Sequence, residues 1–292
     1  MEGFIDKLRS RIFLFVIILV LTLGGCTDGA IVTEPEIVAE PEIVTELENE
    51  ATETIDGLPN ESVEPPTEFV DEEDLANERQ REKIEANIKE WFLGEKLHKY
   101  VGNNRDYDWY IDQGLTGEHS NDNCGPASAV MAMKWIDEDF MGTAEEARQQ
   151  FIPEGGWWFT STIAEYFDSH GLDYSYWDFD LEDKARGIED LKGLIESGNI
   201  VLLCVDIGYV SYEYEEGLRI NRFYGYDDGH FIIVKGYVEV DDRTYFEVYD
   251  SNNWEMTYED GSPLGKDRYY DAEELMDAIY NWWGHGFVIS GK

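Results

Sequence analysis

The sequence predicts an α+β domain in which N-terminal helices pack on an antiparallel sheet. After residue 75, apolar residues at helical spacing come first, and apolar runs of strand length come later. Helices that precede the strands in this way segregate to one side of an antiparallel sheet. We therefore expect the helices to cover one face of the sheet.

The first 25 residues have the composition of an export signal. Three basic residues precede an apolar run from Ile12 to Leu23. This run has about 12 residues, whereas a helix needs roughly 20 to cross a bilayer. The following Gly24-Gly25-Cys26 completes a sequence that resembles a bacterial lipobox. We therefore expect a signal peptide over 1–25, lipid attachment at Cys26, and a protein anchored on the extracytoplasmic face of the cell membrane.

A long acidic segment follows the predicted lipid attachment point. Residues 26–78 contain 18 acidic side chains and no basic one, and Ile31–Glu36 is nearly repeated as Ile37–Glu42. Such a segment has too little apolar surface to fold, so residues 26–75 are predicted to be a disordered tether. The whole chain has a formal net charge of −42, which disfavours nucleic acid as a partner.

Hydrophobic spacing and capping residues predict the helices. We divide the chain after the tether into a helical extension over 76–104 and a folded domain over 105–292. The predicted helices are 75–101, 124–137, a short helix opened by a capping box of Thr143 and Glu146, one between Thr160 and Gly171, 188–197, and 271–282.

Apolar runs predict the strands. The predicted strands are 200–205, 231–238, 245–249 and 287–289. Cys204 lies in the most apolar of these runs. Free cysteine is among the most buried residue types, so we expect Cys204 to be an unreactive core residue.

Cys124 is the candidate nucleophile. It follows a polar loop and stands just before Pro126, which suits the first turn of a helix. Unpaired backbone N–H groups and the positive end of the helix dipole favour a thiolate at that position. The thiolate is the reactive form, so this is a suitable place for a catalytic thiol.

His230 and Asp250 are the candidate base and orienting carboxylate. His230 begins the strand 231–238, and Asp250 ends the strand 245–249. A hairpin that turns at Asp241-Asp242 brings residue 230 opposite roughly 251–253, beside Asp250. His285 is the alternative base, and His119 is an alternative contact for substrate.

Three motifs together resemble the papain-like cysteine peptidases related to the bacteriocin double-glycine leader peptidases. They are Asn123–Ser128, Gly229–Tyr237 and Tyr249-Asp250. The resemblance covers roughly 105–292 and implies Cys124 as nucleophile, His230 as general base and acid, and Asp250 as the orienting residue. It also implies an upstream glutamine in the oxyanion hole, for which Gln113 is the candidate.

Gln113 lies 11 positions before Cys124, farther than the family spacing. Asn121 or Asn123, with the backbone N–H of Cys124, is therefore an alternative source of oxyanion donors.

The predicted function is an extracytoplasmic thiol hydrolase that cleaves peptide or isopeptide bonds. A peptide or cell-wall peptide is the expected substrate, and we expect a monomer. No metal-ligand spacing and no phosphate-binding glycine loop occurs in the sequence, so neither a metal nor another cofactor is expected. Two alternatives remain open: an inactive papain-like binding module, which would use exposed aromatic pairs such as Trp157-Trp158 or Trp282-Trp283, and a transglutaminase-like acyl transferase.

Overall fold

The computed structural model describes residues 71–291. The predicted signal peptide, the lipid attachment point Cys26 and all but the last few residues of the predicted tether lie outside the described residues. Six α-helices occur in the described range. They are α1 (Glu72–Asn87), α2 (Cys124–Ile136), α3 (Ala144–Phe151), α4 (Thr160–His170), α5 (Lys184–Glu196) and α6 (Ala272–Tyr280).

The strands of the described range form one seven-stranded sheet. They are β1 (Leu97–Gly102), β2 (Tyr174–Asp178), β3 (Asn199–Asp206), β4 (Gly229–Val240), β5 (Arg243–Asp250), β6 (Arg268–Asp271) and β7 (His285–Ser290). Six of the strands follow the order β2-β7-β3-β4-β5-β6. The seventh, β1, pairs with residues 236–240 at the end of β4. Every pairing between these seven strands is antiparallel, so the predicted α+β class is confirmed.

The helices cover both faces of the sheet, not one as the sequence order suggested. Helices α2, α3 and α4 pack on the face that carries Leu202 and Phe231. Helices α5 and α6 pack on the opposite face, which carries Leu203 and Ile232. The reason is that β3 and the middle of β4 are apolar on both sides, and each side must be removed from water.

The segment 76–104 is helical only in its first part. Helix α1 ends at Asn87, and the backbone then turns through Phe92 and Gly94, which have φ angles of 64° and 151°. A Cβ atom at Gly94 would lie 2.5 Å from a side-chain atom of Val240, so the close approach of the chain to β4 requires glycine here. The continuous helix predicted over 75–101 is therefore wrong, because its last residues form β1 of the main sheet.

The capping box predicted for the short helix is present in α3. The Thr143 hydroxyl accepts a hydrogen bond from the Glu146 N–H, and the Glu146 carboxylate accepts one from the Thr143 N–H. No helix within residues 71–291 has the length and apolar character needed to traverse a bilayer.

Candidate active site

Cys124 is the first residue of α2, and its side chain is half-buried. A short 3₁₀ turn, Ser120–Asp122, leads into it. The first four N–H positions of a helix have no partner inside the helix, and Pro126 has no N–H to lose. Accordingly, the first main-chain hydrogen bond of α2 is donated by Ala127, to the Asn123 carbonyl at 2.9 Å. The thiol thus lies at the positive end of an apolar helix.

Buried hydrogen bonds of the Asn123 side chain fix the loop that carries the thiol. The Asn123 amide donates to the carbonyl and the hydroxyl of Thr116 at 3.1 and 2.9 Å, and its oxygen accepts from Nε of Arg148 at 2.7 Å. On the other side of the thiol, a Cβ atom at Gly125 would lie 2.7 Å from Cβ of Trp158. Any side chain at position 125 would therefore displace Trp158 from the helix start.

The β4–β5 hairpin brings His230 and Asp250 together. Ile232 pairs directly with Asp250, and an irregularity between Val234 and Gly236 shifts the register by one residue. His230 therefore lies diagonally across from Asp250, and its Nε2 donates to Oδ1 of Asp250 at 2.7 Å. Nδ1 of the ring is then the nitrogen left to interact with Cys124.

Asp250 is completely buried and accepts four hydrogen bonds. His230 and the Asn252 N–H donate to Oδ1, the latter at 2.9 Å. The Tyr224 hydroxyl donates to Oδ2 at 2.6 Å, and the Tyr270 hydroxyl donates to the same oxygen. Burial alone would raise the pKa of Asp250, but the His230 charge and these hydrogen bonds outweigh it and lower the pKa. Asp250 is therefore a stable carboxylate in the interior.

The same contacts favour the protonated form of His230. Burial acts to lower the pKa of this imidazole, since only 2% of the residue is exposed. The charge of Asp250 and its hydrogen bond outweigh burial, and the interaction with Cys124 adds to them, which raises the pKa of His230 to about 10. An imidazolium at neutral pH is the natural partner of a thiolate.

Gln113 is buried, and its amide is already bonded within the protein. Its Nε2 donates to the carbonyls of Ser120 and Asn121 at 2.8 and 3.2 Å. An oxyanion contact from Gln113 thus requires one of these bonds to open. Both N–H groups of the Asn123 side chain are likewise used on Thr116. Among the oxyanion donors predicted from the sequence, the backbone N–H of Cys124 lies at the start of α2, where an N–H group has no partner inside the helix.

An aromatic pocket adjoins Cys124. It has a volume of about 170 Å³, and Cys204 and Gly229 contribute to its wall. The aromatic residues that line it are Trp157, Trp158, Phe159, Phe231, Trp282 and Trp283. Trp157 is 53% exposed and its neighbour Trp158 only 4%, so one ring of this pair faces solvent while the other packs in the core. This pocket can accept an apolar side chain next to the thiol.

The second thiol, Cys204, is buried at this pocket. Burial, together with the charge of Cys124, raises the pKa of Cys204 to about 12, while a hydrogen bond with Trp282 opposes the rise. Cys204 therefore remains a thiol at neutral pH, in line with the expected lack of reactivity.

The other two candidate histidines have different partners. His285 is on β7, and its Nδ1 is 2.5 Å from Oδ1 of Asp178 on the neighbouring edge strand β2. The sequence offered no carboxylate for His285, since Asp178 lies in a strand that was not predicted. His119 packs against Gly155, where an added Cβ would lie 2.6 Å from its ring.

The tyrosines on Asp250 were missed by sequence reasoning. Tyr270 lies on β6, which was not predicted, and Tyr224 lies in the loop before β4. No local pattern marks either residue, because each contact with Asp250 depends on how distant segments pack. Within residues 71–291, no cluster of three or more His, Cys, Asp or Glu side chains is arranged to hold a metal ion.

A comparison with protein-family profiles finds no match, and a comparison with curated proteins finds none either. Solved structures do match. One, described as a C39-like peptidase from Bacillus anthracis, has 11% identity and a TM-score of 0.43 over 67% of this chain and 99% of that one. Another, the digestive procathepsin L 3 of Tenebrio molitor larval midgut, has 15% identity and a TM-score of 0.40 over 67% of this chain and 71% of that one.

Proposed function

We propose that the domain is a papain-like cysteine peptidase that cleaves peptide or isopeptide bonds. The observation that carries the proposal is the buried His230–Asp250 pair beside a thiol at the start of a helix. A histidine and a carboxylate could be paired for stability alone, but that role does not require a half-buried cysteine at the same point. The pocket next to Cys124 supports a peptide substrate with a large apolar side chain.

In the proposed reaction, the Cys124 thiolate attacks the substrate carbonyl carbon. The carbonyl oxygen becomes an oxyanion, which the backbone N–H of Cys124 stabilises at the positive end of α2. The His230 imidazolium then donates its proton to the leaving amine, and the amine departs to give a thioester. His230, now neutral, takes a proton from water, and the resulting hydroxide equivalent hydrolyses the thioester and restores the thiolate.

Asp250 has a positioning role in this scheme. It holds one ring nitrogen of His230, so that the other nitrogen faces the thiol, and it stabilises the imidazolium. Its own four donors keep it ionised. The proton thus moves between His230 and the substrate rather than to the carboxylate.

The test uses Cys124→Ala and a random peptide library together with isopeptide-linked cell-wall peptides, with mass spectrometry of the products. We expect new peptide termini with the unmodified protein and none above background with Cys124→Ala. The control is His285→Ala, whose pair with Asp178 is exposed and makes no hydrogen bond with Cys124, and we expect it to retain cleavage. Cleavage by Cys124→Ala at the unmodified rate would refute the proposal. Adding a primary amine separates hydrolysis from acyl transfer, because a transferase would join the amine to the peptide.

We also propose that the enzyme acts outside the cytoplasm, held to the cell membrane through lipid on Cys26. The basic, apolar and small-residue order of residues 1–25 supports this location. With Cys26→Ala in the full chain, we expect the protein to leave the membrane fraction. Equal membrane association of both forms would count against the anchor.

A further inference from the structure

Arg148 is a buried cation directly behind the loop that carries Cys124. It lies on α3 and is 1% exposed. Its Nε donates to Oδ1 of Asn123 and its Nη2 to the carbonyl of Asp122, both at 2.7 Å. Its Nη1 donates to the carbonyl of Gly156 at 2.6 Å. One guanidinium therefore binds both residues that precede Cys124 and the residue that precedes Trp157 of the aromatic pocket.

The guanidinium has no carboxylate in contact with it. Within the described residues, no acidic side chain forms an ion pair with Arg148, and its bonded partners are neutral oxygens. The Asp122 carboxylate instead accepts from the Gly156 N–H at 3.1 Å. A buried charge without a paired charge is costly, and neutral side chains can bind carbonyls at lower cost. We therefore expect an anion near Arg148 that lowers the cost of burying its charge.

The Asp122 carboxylate and the Cys124 thiolate both supply negative charge near Arg148. Burial lowers the pKa of Arg148, while the charges of Asp122 and Cys124 raise it, so both anions are within electrostatic range of the guanidinium. Arginine nevertheless stays protonated under all ordinary conditions.

Other charged and titratable groups also face the thiol. His230 approaches from β4, Cys204 approaches from β3, and Tyr226 lies in the loop before β4. Burial raises the pKa of Tyr226, and the charges of Cys124, Asp228 and Asp122 raise it further, so this side of the site is acidic. Arg148 and His230 are thus cations whose charges interact with Cys124, opposed by these carboxylates.

We infer that Arg148 is a positioning residue that holds the nucleophile loop and supplies a fixed positive charge to the Cys124 thiolate. This inference rests on the proposed function of Cys124. Unlike His230, Arg148 keeps its charge throughout the catalytic cycle, so it favours the thiolate even after the imidazolium has given up its proton. Through the Gly156 carbonyl, it also links the position of the thiol to that of the aromatic pocket.

The test is the pH dependence of Cys124 alkylation by iodoacetamide in the full chain, with peptide mapping to separate it from the other cysteines. For Arg148→Gln, we expect the pH of half-maximal alkylation to rise by about one unit, equivalent to tenfold in the thiolate equilibrium. For Arg148→Lys, which keeps the charge, we expect most of the rise to disappear. The control is Arg186→Gln, because Arg186 is an exposed arginine on α5.

A purely structural role predicts a different result. It would either change the alkylation rate equally at all pH values or shift the midpoint as much in Arg148→Lys as in Arg148→Gln. An unchanged midpoint in a folded Arg148→Gln variant overturns the inference. Should that variant fail to fold, the midpoint of a folded Arg148→Lys variant decides: the inference predicts that it stays close to that of the unmodified protein, and a rise of about one unit there overturns it.

Alkylation requires no peptide substrate, so the proposed peptidase activity and the proposed role of Arg148 can be refuted independently. A shifted midpoint without any peptide cleavage would support the charge role and contradict the peptidase. Peptide cleavage with an unshifted midpoint would leave the peptidase intact and contradict the role of Arg148.

Discussion

Two histidine–aspartate pairs with similar nitrogen–oxygen distances differ in almost everything that surrounds them. His230–Asp250 has a nitrogen–oxygen distance of 2.7 Å, and His285–Asp178 has one of 2.5 Å. The side chains of the first pair are 2% and 0% exposed, whereas those of the second are 42% and 79% exposed. Water screens the charges of an exposed ion pair, so such a pair contributes little to stability. In the protein interior the two charges interact more strongly and stay in one arrangement.

The carboxylates of the two pairs also differ in their further contacts. Asp250 accepts from Tyr224, Tyr270 and the Asn252 N–H in addition to its histidine. Asp178 lies on the edge strand β2 and has His285 as its hydrogen-bond partner among the described residues. The distance within a pair therefore says little about function, whereas burial, extra donors and a neighbouring thiol distinguish the candidate site.

The largest difference between the two pairs should appear in the rate of peptide cleavage. We expect His230→Ala to lower peptide cleavage by about 10²–10⁴-fold, because it removes both proton donor and acceptor. We expect His285→Ala to change it less than about twofold, since His285 is exposed and its hydrogen bond goes to Asp178 rather than to a reacting group. Initial rates with a cleaved library peptide provide the measurement. Comparable losses in both variants would erase the distinction.

The second largest difference should appear in stability. Asp250→Ala leaves a buried imidazolium and two phenols without their acceptor, so we expect a loss of about 3–5 kcal/mol in the free energy of unfolding. Asp178→Ala should cost less than about 0.5 kcal/mol. Urea denaturation followed by tryptophan fluorescence compares them directly. If Asp178→Ala were as damaging as Asp250→Ala, burial would not be the deciding factor.

The buried pair should also have a distinct pH dependence. The pKa of His230 is raised to about 10 in the folded protein, from 6.5 without these contacts. Its protonation therefore contributes stability that is fully present below pH 6.5 and is lost as the pH rises through about 10. Histidine proton NMR should show one ring that remains protonated until about pH 10, and this signal should be missing in His230→Ala. Its survival in that variant would assign the raised pKa to a different histidine.

The smallest effect should come from the tyrosines. Tyr224→Phe and Tyr270→Phe each remove one donor from Oδ2 of Asp250 and leave the other, so we expect about 1.5 kcal/mol of lost stability for each. Because both hydroxyls help to lower the pKa of Asp250, the loss of stability on acidification should begin at a higher pH in each variant. Acid denaturation curves measure this shift. Tyr209→Phe is a control, because that tyrosine is exposed. Curves that coincide with that of the control would contradict the role of the phenols.

Local patterns in the sequence were sufficient for several elements that build the site. The apolar helix after Cys124, the long strands and the Asp241-Asp242 turn each have a short-range signature. The hairpin was placed closely enough to bring His230 beside Asp250, even though the irregularity near Val234 could not be foreseen. Such features follow from periodicity and turn chemistry, which act over a few residues.

Other features depend on contacts between distant segments. Strand β1 was predicted as helix because Leu97 falls at helical spacing from the apolar residues before it. The chain instead turns at Gly94, before Leu97, and then pairs with β4. The second helical layer follows from a sheet that is apolar on both sides, which sequence order alone does not reveal. The contacts of Gln113 and Arg148 with the nucleophile loop likewise appear only once the chain has packed.

The most direct test of the central claim is site-resolved labelling of the folded chain by limiting iodoacetamide at pH 7. A thiolate at the start of α2, paired with His230, should react at Cys124 well before the buried Cys204, and His230→Ala should slow the labelling of Cys124 while Cys204 stays unlabelled. Equal labelling of the two cysteines, or labelling of Cys124 at an unaltered rate in His230→Ala, would contradict the account.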